Sequence, residues 1–169
     1  MERRLARCLI IGCGCRGQML ARGLRARGHL VRGTTRSPAR GPAIEATGAE
    51  ALIADPDRVV TILPALDHVS AACVLLGSVE GTSEELSALH GPRLETLLLH
   101  VIDTTVHGVI YEAAGTVEQS VLDAGAELVR ARCRLSRIPF ALLERAPATD
   151  YDAWLAATLG AVDHVLSAA

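Results

Sequence analysis

Short apolar runs alternate with stretches of helical periodicity along almost the whole chain. Residues 5–11 end in four successive apolar side chains, Cys8, Leu9, Ile10 and Ile11, and predict a short buried strand. After three closely spaced glycines, residues 18–27 can place Met19, Leu20, Gly23 and Leu24 on one helical face. Gly28 then supplies a left-handed C-cap. Residues 29–33 predict a second strand. Ser37 and Pro38 open a weak helix towards Thr47, residues 49–54 form a third strand, and Asp57 caps a short helix over 58–66. The fourth strand is expected at 69–76.

Thr82 or Ser83, with Glu84 or Glu85 in the first turn, begins a helix carrying Leu86, Leu89, Leu94, Leu97, Leu98 and Val101, interrupted around Gly91-Pro92. A fifth strand follows over 106–113. Thr116 and Gln119 have capping-box spacing for a long helix, whose predicted buried face is Val117, Val121, Ala124, Leu128, Ala131 and Leu135. Residues 138–143 give a sixth strand and 152–166 a last helix. The alternation predicts an α/β fold: a doubly wound, Rossmann-type parallel sheet in the order 3-2-1-4-5-6, with helices on both faces. Residues 1–169 are expected to form one domain with a short helical extension at about 150–167.

Composition sharpens this picture. Half the residues are apolar, yet Tyr111, Phe140, Tyr151 and Trp154 are the only aromatics. An aliphatic core suits a parallel sheet covered on both faces. The same scarcity argues against single-stranded nucleic acid, which is commonly held by aromatic stacking. Residues 1–40 contain ten arginines and one acid, Glu2, whereas the rest carries seven arginines and eighteen acids. A basic N-terminal part suits a phosphate-rich ligand or a solvated face. The chain has no lysine, so it cannot supply a lysine base, Schiff base or lysine proton relay. The five cysteines have neither paired CxxC spacing nor zinc-site partners, and no metal is expected. No membrane-length apolar run or signal sequence is apparent, which predicts a cytoplasmic protein with no membrane partner.

The stretch Gly12-Cys13-Gly14-Cys15-Arg16-Gly17 matches GxGxxG between a strand and a helix. Gly12 permits the tight turn, Gly14 lets backbone approach a pyrophosphate, and Gly17 allows close strand–helix packing. The backbone of Cys15 and the Arg16 side chain are candidate phosphate contacts at the helix N-terminus. Where an NAD-selective site usually offers an acid, the second strand ends Gly33-Thr34-Thr35-Arg36. Arg36 is therefore a candidate for holding an adenosine 2′-phosphate, with Thr34 or Thr35 adding a hydroxyl donor, which favours NADP(H) over NAD(H).

These residues resemble the atypical short-chain dehydrogenase/reductase superfamily, especially its NmrA-like and epimerase-like NAD(P)-binding members. The similar stretches are IIGCGCRGQMLARGLRARGH and LVRGTTRSP, then ALIADPDRV, VSAACVLLGS, HGVIYEAAG and AGAELVRARCRLSRIPFALLE, covering roughly residues 5–145. The resemblance implies that Asp55 borders the adenine. It also implies a serine after the fifth strand and a Tyr-x-x-x-Lys pair. The matching positions read Ala113-Ala114, and Gln119 and Asp123.

With the usual machinery missing, Glu112 and Tyr111 remain as candidate catalytic groups. Strand alternation points them to opposite sides. His68 and His107 precede strands and are expected to be structural or exposed, while His100 is unassigned. Asp103-Thr104-Thr105 reads as a capped turn. The sequence therefore supports an oxidoreductase transferring hydride to a small carbonyl substrate. It also supports a catalytically silent NAD(P)-binding regulatory or interaction module, with the last helix around Trp154 and Leu155 as a possible homo-oligomer interface.

Overall fold

Six aliphatic segments pair side by side in the computed structural model, which describes residues 4–145 and 150–168. They are β1 (Arg7–Ile11), β2 (Leu30–Thr35), β3 (Glu50–Ile53), β4 (Ala71–Val74), β5 (Gly108–Glu112) and β6 (Phe140–Leu143). The sheet is parallel throughout, in the order β3-β2-β1-β4-β5-β6, as the alternating pattern predicts. In the central register Ile10 lies opposite Gly33 of β2 and Cys73 of β4. The crossovers contain α1 (Cys15–Ala26), α2 (Gly41–Glu45), α3 (Ser83–Ala88), α4 (Leu94–Val101) and α5 (Gln119–Ser136), and α6 (Tyr151–Ser167) follows β6.

Both sheet faces are buried, which is why the strands read as continuous apolar runs. Cys8 and Ile10 pack with Leu20, Leu24, Trp154 and Val162 from α1 and α6. Leu9 and Ile11 pack on the opposite face with Ile62, Leu98, Tyr111 and Val129. Trp154 is 1% exposed and belongs to the core under β5 and β6. No helix among the described residues is long and apolar enough to cross a membrane.

Three local expectations change. The helix expected over 58–66 is two short 3₁₀ turns, Val59–Thr61 and Leu63–Leu66. Successive β-branched residues followed by Pro64 disfavour a continuous α-helix. The long helix begins at Gln119, after a non-helical Glu118, and ahead of it the Thr116 and Val117 N–H groups donate to Ser78 Oγ and the Gly77 carbonyl, at 3.1 and 3.0 Å. Its buried face is Leu122, Gly125, Ala126, Val129 and Cys133, one position round from the expected stripe; Leu135 is exposed. By contrast, Thr82 and Glu85 form the expected capping box on α3. The helical path from α3 to α4 breaks at Gly91, before Pro92.

Candidate functional site

The glycine loop turns at the C-terminal end of β1. Gly12 has φ +84°, and a Cβ there would stand 2.6 Å from the Leu75 carbonyl oxygen, so the turn requires glycine. β2 anchors the loop: the Gly12 N–H donates to Thr34 Oγ1 at 3.2 Å, and the Cys13 N–H to the Thr34 carbonyl at 2.9 Å. Cys13 is buried, and that burial pushes its thiol pKa up to about 12. The Cys13 side chain fills the space left by Gly33, whose Cβ would meet Cys13 Sγ at 2.8 Å. Here the cysteine packs the loop rather than presenting a nucleophile.

No side chain caps α1, and no acid lies in its first turn. Its first N–H groups lack intrahelical acceptors and sit at the positive end of the helix dipole. Gly14 adds room, because a Cβ there would meet nothing within 4 Å. The resulting cleft has a volume of about 400 Å³. Gly12, Gly14, Cys15, Arg16 and Gly17 line it on the loop side, and Thr35 and Arg36 line it at the end of β2. Arg36 is exposed, and among the described residues it has no ion-pair partner. Ala54 and Pro56 line the cleft and Asp55 between them does not. The Asp55 carboxylate instead accepts the Asp57 N–H at 3.0 Å and holds the turn after β3.

The other cation of the loop is engaged. Arg16 makes a two-pronged ion pair with Glu112, Nε to Oε2 at 3.0 Å and Nη2 to Oε1 at 2.7 Å. The Gly77 N–H also donates to Glu112 Oε1, at 2.8 Å. Glu112 has no solvent exposure, while the Arg16 side chain is 20% exposed. A buried carboxylate is tolerated only with such matched donors, and three converge here.

Tyr111 is fully buried on the opposite face, and its hydroxyl lies 2.6 Å from His90 Nδ1. His90 Nε2 lies 3.0 Å from the Leu76 carbonyl, which can only accept, so Nε2 carries the proton. Burial lowers the His90 pKa, against a smaller opposing effect of the Leu76 hydrogen bond. The ring is therefore neutral, Nδ1 accepts, and the Tyr111 hydroxyl donates. Burial, with the charges of Glu112 and Asp123, raises the tyrosine pKa and keeps the phenol protonated.

The structure thus separates the sequence candidates. It brings Arg16 and Glu112 together and leaves Tyr111 on the other side of the sheet. Gln119 donates to the Ala113 carbonyl at 2.9 Å and to Asp123 at 2.8 Å, so the residues at the expected tyrosine and lysine positions bond each other. His68 and His100 are exposed, and His107 Nδ1 is 3.2 Å from the Thr105 carbonyl. Thr104 and Thr105 bond the Val101 and Val69 carbonyls, as expected of a capped turn. Sequence reasoning missed His90, whose one local signal is its place beside the Gly91-Pro92 break.

No protein-family model and no curated protein matches the chain. Solved structures do. One is a short-chain dehydrogenase/reductase superfamily protein from Agrobacterium tumefaciens with bound NAD, 18% identical at TM-score 0.66, covering 80% of this chain and 48% of that one. A second is UDP-glucuronic acid 4-epimerase from Bacillus cereus in complex with NAD, 13% identical at TM-score 0.65, covering 83% and 56%. A third is vestitone reductase from alfalfa, 11% identical at TM-score 0.63, covering 81% and 55%. The chain spans about half the length of such structures. It shares the Rossmann fold of these structures.

The expected preference for NADP(H) over NAD(H) is overturned. Three of the similar structures, the Agrobacterium protein and two of the Bacillus cereus epimerase, are solved with NAD. In this chain, moreover, Arg16, the expected phosphate contact of the glycine loop, is committed to Glu112.

Proposed function

We propose that the chain binds an NAD-type dinucleotide in the cleft at the C-terminal ends of β1 and β2, and acts as a nucleotide-responsive binding module rather than a hydride-transfer catalyst. The observation that carries this reading is an open glycine cradle beside two candidate catalytic groups that are both buried and fully engaged. The N–H groups of Cys15, Arg16 and Gly17 would hold the pyrophosphate, with Gly12 and Gly14 shaping the approach. Thr35 and Arg36 would flank the adenosine ribose, and Asp55 would keep the adenine-side turn in place. A bound dinucleotide of this class supplies a hydride-carrying ring.

Hydride transfer to a small carbonyl substrate is the competing reading. It would require Glu112 to give up three donors or Tyr111 to give up His90, and no lysine is available to replace them. Isothermal titration with NAD⁺ and NADH tests the binding claim, the expected result being saturable one-site binding. Absence of heat and of thermal stabilisation at millimolar ligand overturns it. Steady NADH oxidation with small aldehydes or ketones overturns the non-catalytic part.

A further inference from the structure

The nucleotide cleft runs from the end of β3 to the end of β4 and stops short of β5. A doubly wound sheet offers one mononucleotide site on each side of its switch point, and a dinucleotide spans both. Here the switch point lies between β1 and β4. On the β2 and β3 side the cleft is open, lined by Thr35, Arg36, Arg40 and Ala54.

Across the switch point it continues only past the end of β4, along Leu76, Ser78, Val79 and Glu80, and is shut over β5. Arg16 leaves the glycine loop and spans the end of β4 to reach Glu112 on β5, with the Gly77 N–H bonded to the same carboxylate. The segments after β4 and β5 also touch: the Gly77 carbonyl accepts the Val117 N–H at 3.0 Å, and a Cβ on Gly77 would stand 2.7 Å from the Ala114 carbonyl oxygen. Among the described residues, none from 108–118 lines the cleft. Charge follows the same division. Arg36 and Arg40 stand on the β2 side, whereas the Arg16 charge is already matched by Glu112, and on the β4 side the cleft is lined by an acid, Glu80.

Resting on the nucleotide reading above, we propose that the site recognises only the adenosine-diphosphate end of its ligand. Its ligand class is then the ADP-terminated nucleotides, ADP-ribose and ADP among them. NAD binds through its adenosine half and leaves its nicotinamide outside the sheet crevice. The ion pair between Arg16 and Glu112 is the closure that excludes the second half.

Titration of the full chain with NAD⁺, ADP-ribose, ADP and nicotinamide mononucleotide tests this. NAD⁺ and ADP-ribose are expected to bind within about threefold of each other, and nicotinamide mononucleotide not at all. Saturation-transfer NMR on the NAD⁺ complex should show adenine protons receiving more magnetisation than nicotinamide protons. NAD⁺ binding about tenfold or more tighter than ADP-ribose overturns the inference while leaving the nucleotide site standing. No binding of either overturns the site itself. Arg16→Ala combined with Glu112→Gln removes the closure without stranding a buried charge, and should raise the preference for NAD⁺ over ADP-ribose about fivefold. An unchanged ratio in the folded double variant overturns the assignment of this pair as the closure.

Discussion

Arg16 and Glu112 stand 96 residues apart in the chain and meet as a two-pronged ion pair over the end of β4, with the carboxylate fully buried. Desolvating that carboxylate is costly, and the matched donors offset the cost, so the pair matters most when it is half removed. Arg16→Ala is expected to destabilise the fold by about 3–5 kcal/mol, because Glu112 is left buried and unpaired. Adding Glu112→Gln, which can still accept the Gly77 N–H, should recover much of the loss. Urea denaturation of the wild type, both single variants and the double variant measures the coupling. Additive losses would mean that the pair contributes nothing jointly.

Two glycines of one loop should behave oppositely. Gly12→Ala meets the Leu75 carbonyl oxygen and a positive φ, and is expected to cost about 1–3 kcal/mol in stability. Gly14→Val enters open space, so its melting temperature should stay near that of wild type. Its side chain, however, occupies the ligand's approach and should weaken NAD⁺ binding by about tenfold or more. Unaltered binding in Gly14→Val would place the nucleotide elsewhere.

Gly125 on α5 is where Tyr111 rests: a Cβ added there would run into the Tyr111 hydroxyl. Gly-to-Ala in a helix interior normally stabilises by roughly 0.5–1 kcal/mol. Here Gly125→Ala is expected to destabilise by about 1–3 kcal/mol through overpacking. In a Tyr111→Phe background the same change should cost less, since the clashing oxygen is gone. Chemical denaturation of the four proteins decides it, and equal losses in both backgrounds would refute the contact.

His90 sets an acid limit on stability. Its pKa is lowered in the fold by burial, so the unfolded chain binds the proton more readily. The stability due to a neutral His90 is therefore complete above the unfolded value, about 6.5, and declines as pH falls from there towards the lower folded value. Wild type should lose melting temperature below about pH 6.5 more steeply than His90→Gln, which has no such proton to take up. Parallel pH profiles would assign the acid transition to other groups.

Strand order and the glycine turn were legible because each is set locally. Aliphatic runs separated by helix-length segments can join a parallel sheet only through right-handed crossovers, which narrows the order to few choices. The demand for Gly12 arises first from its own positive φ, which favours glycine whatever packs beside it. Similarly, the Thr82–Glu85 capping box acts over three residues, and it appears where its spacing places it.

Tertiary structure decided the rest, because those choices rest on contacts that local spacing does not encode. The Val117, Val121, Ala124 stripe and the Leu122, Gly125, Val129 stripe of α5 both satisfy helical periodicity. The second is the buried one, and there Gly125 leaves room for the Tyr111 hydroxyl. Arg16, read alone in a glycine loop, offers its charge to a phosphate. Folding brings Glu112 within 2.7 Å, and a buried carboxylate with no other cation on it among the described residues takes that charge first.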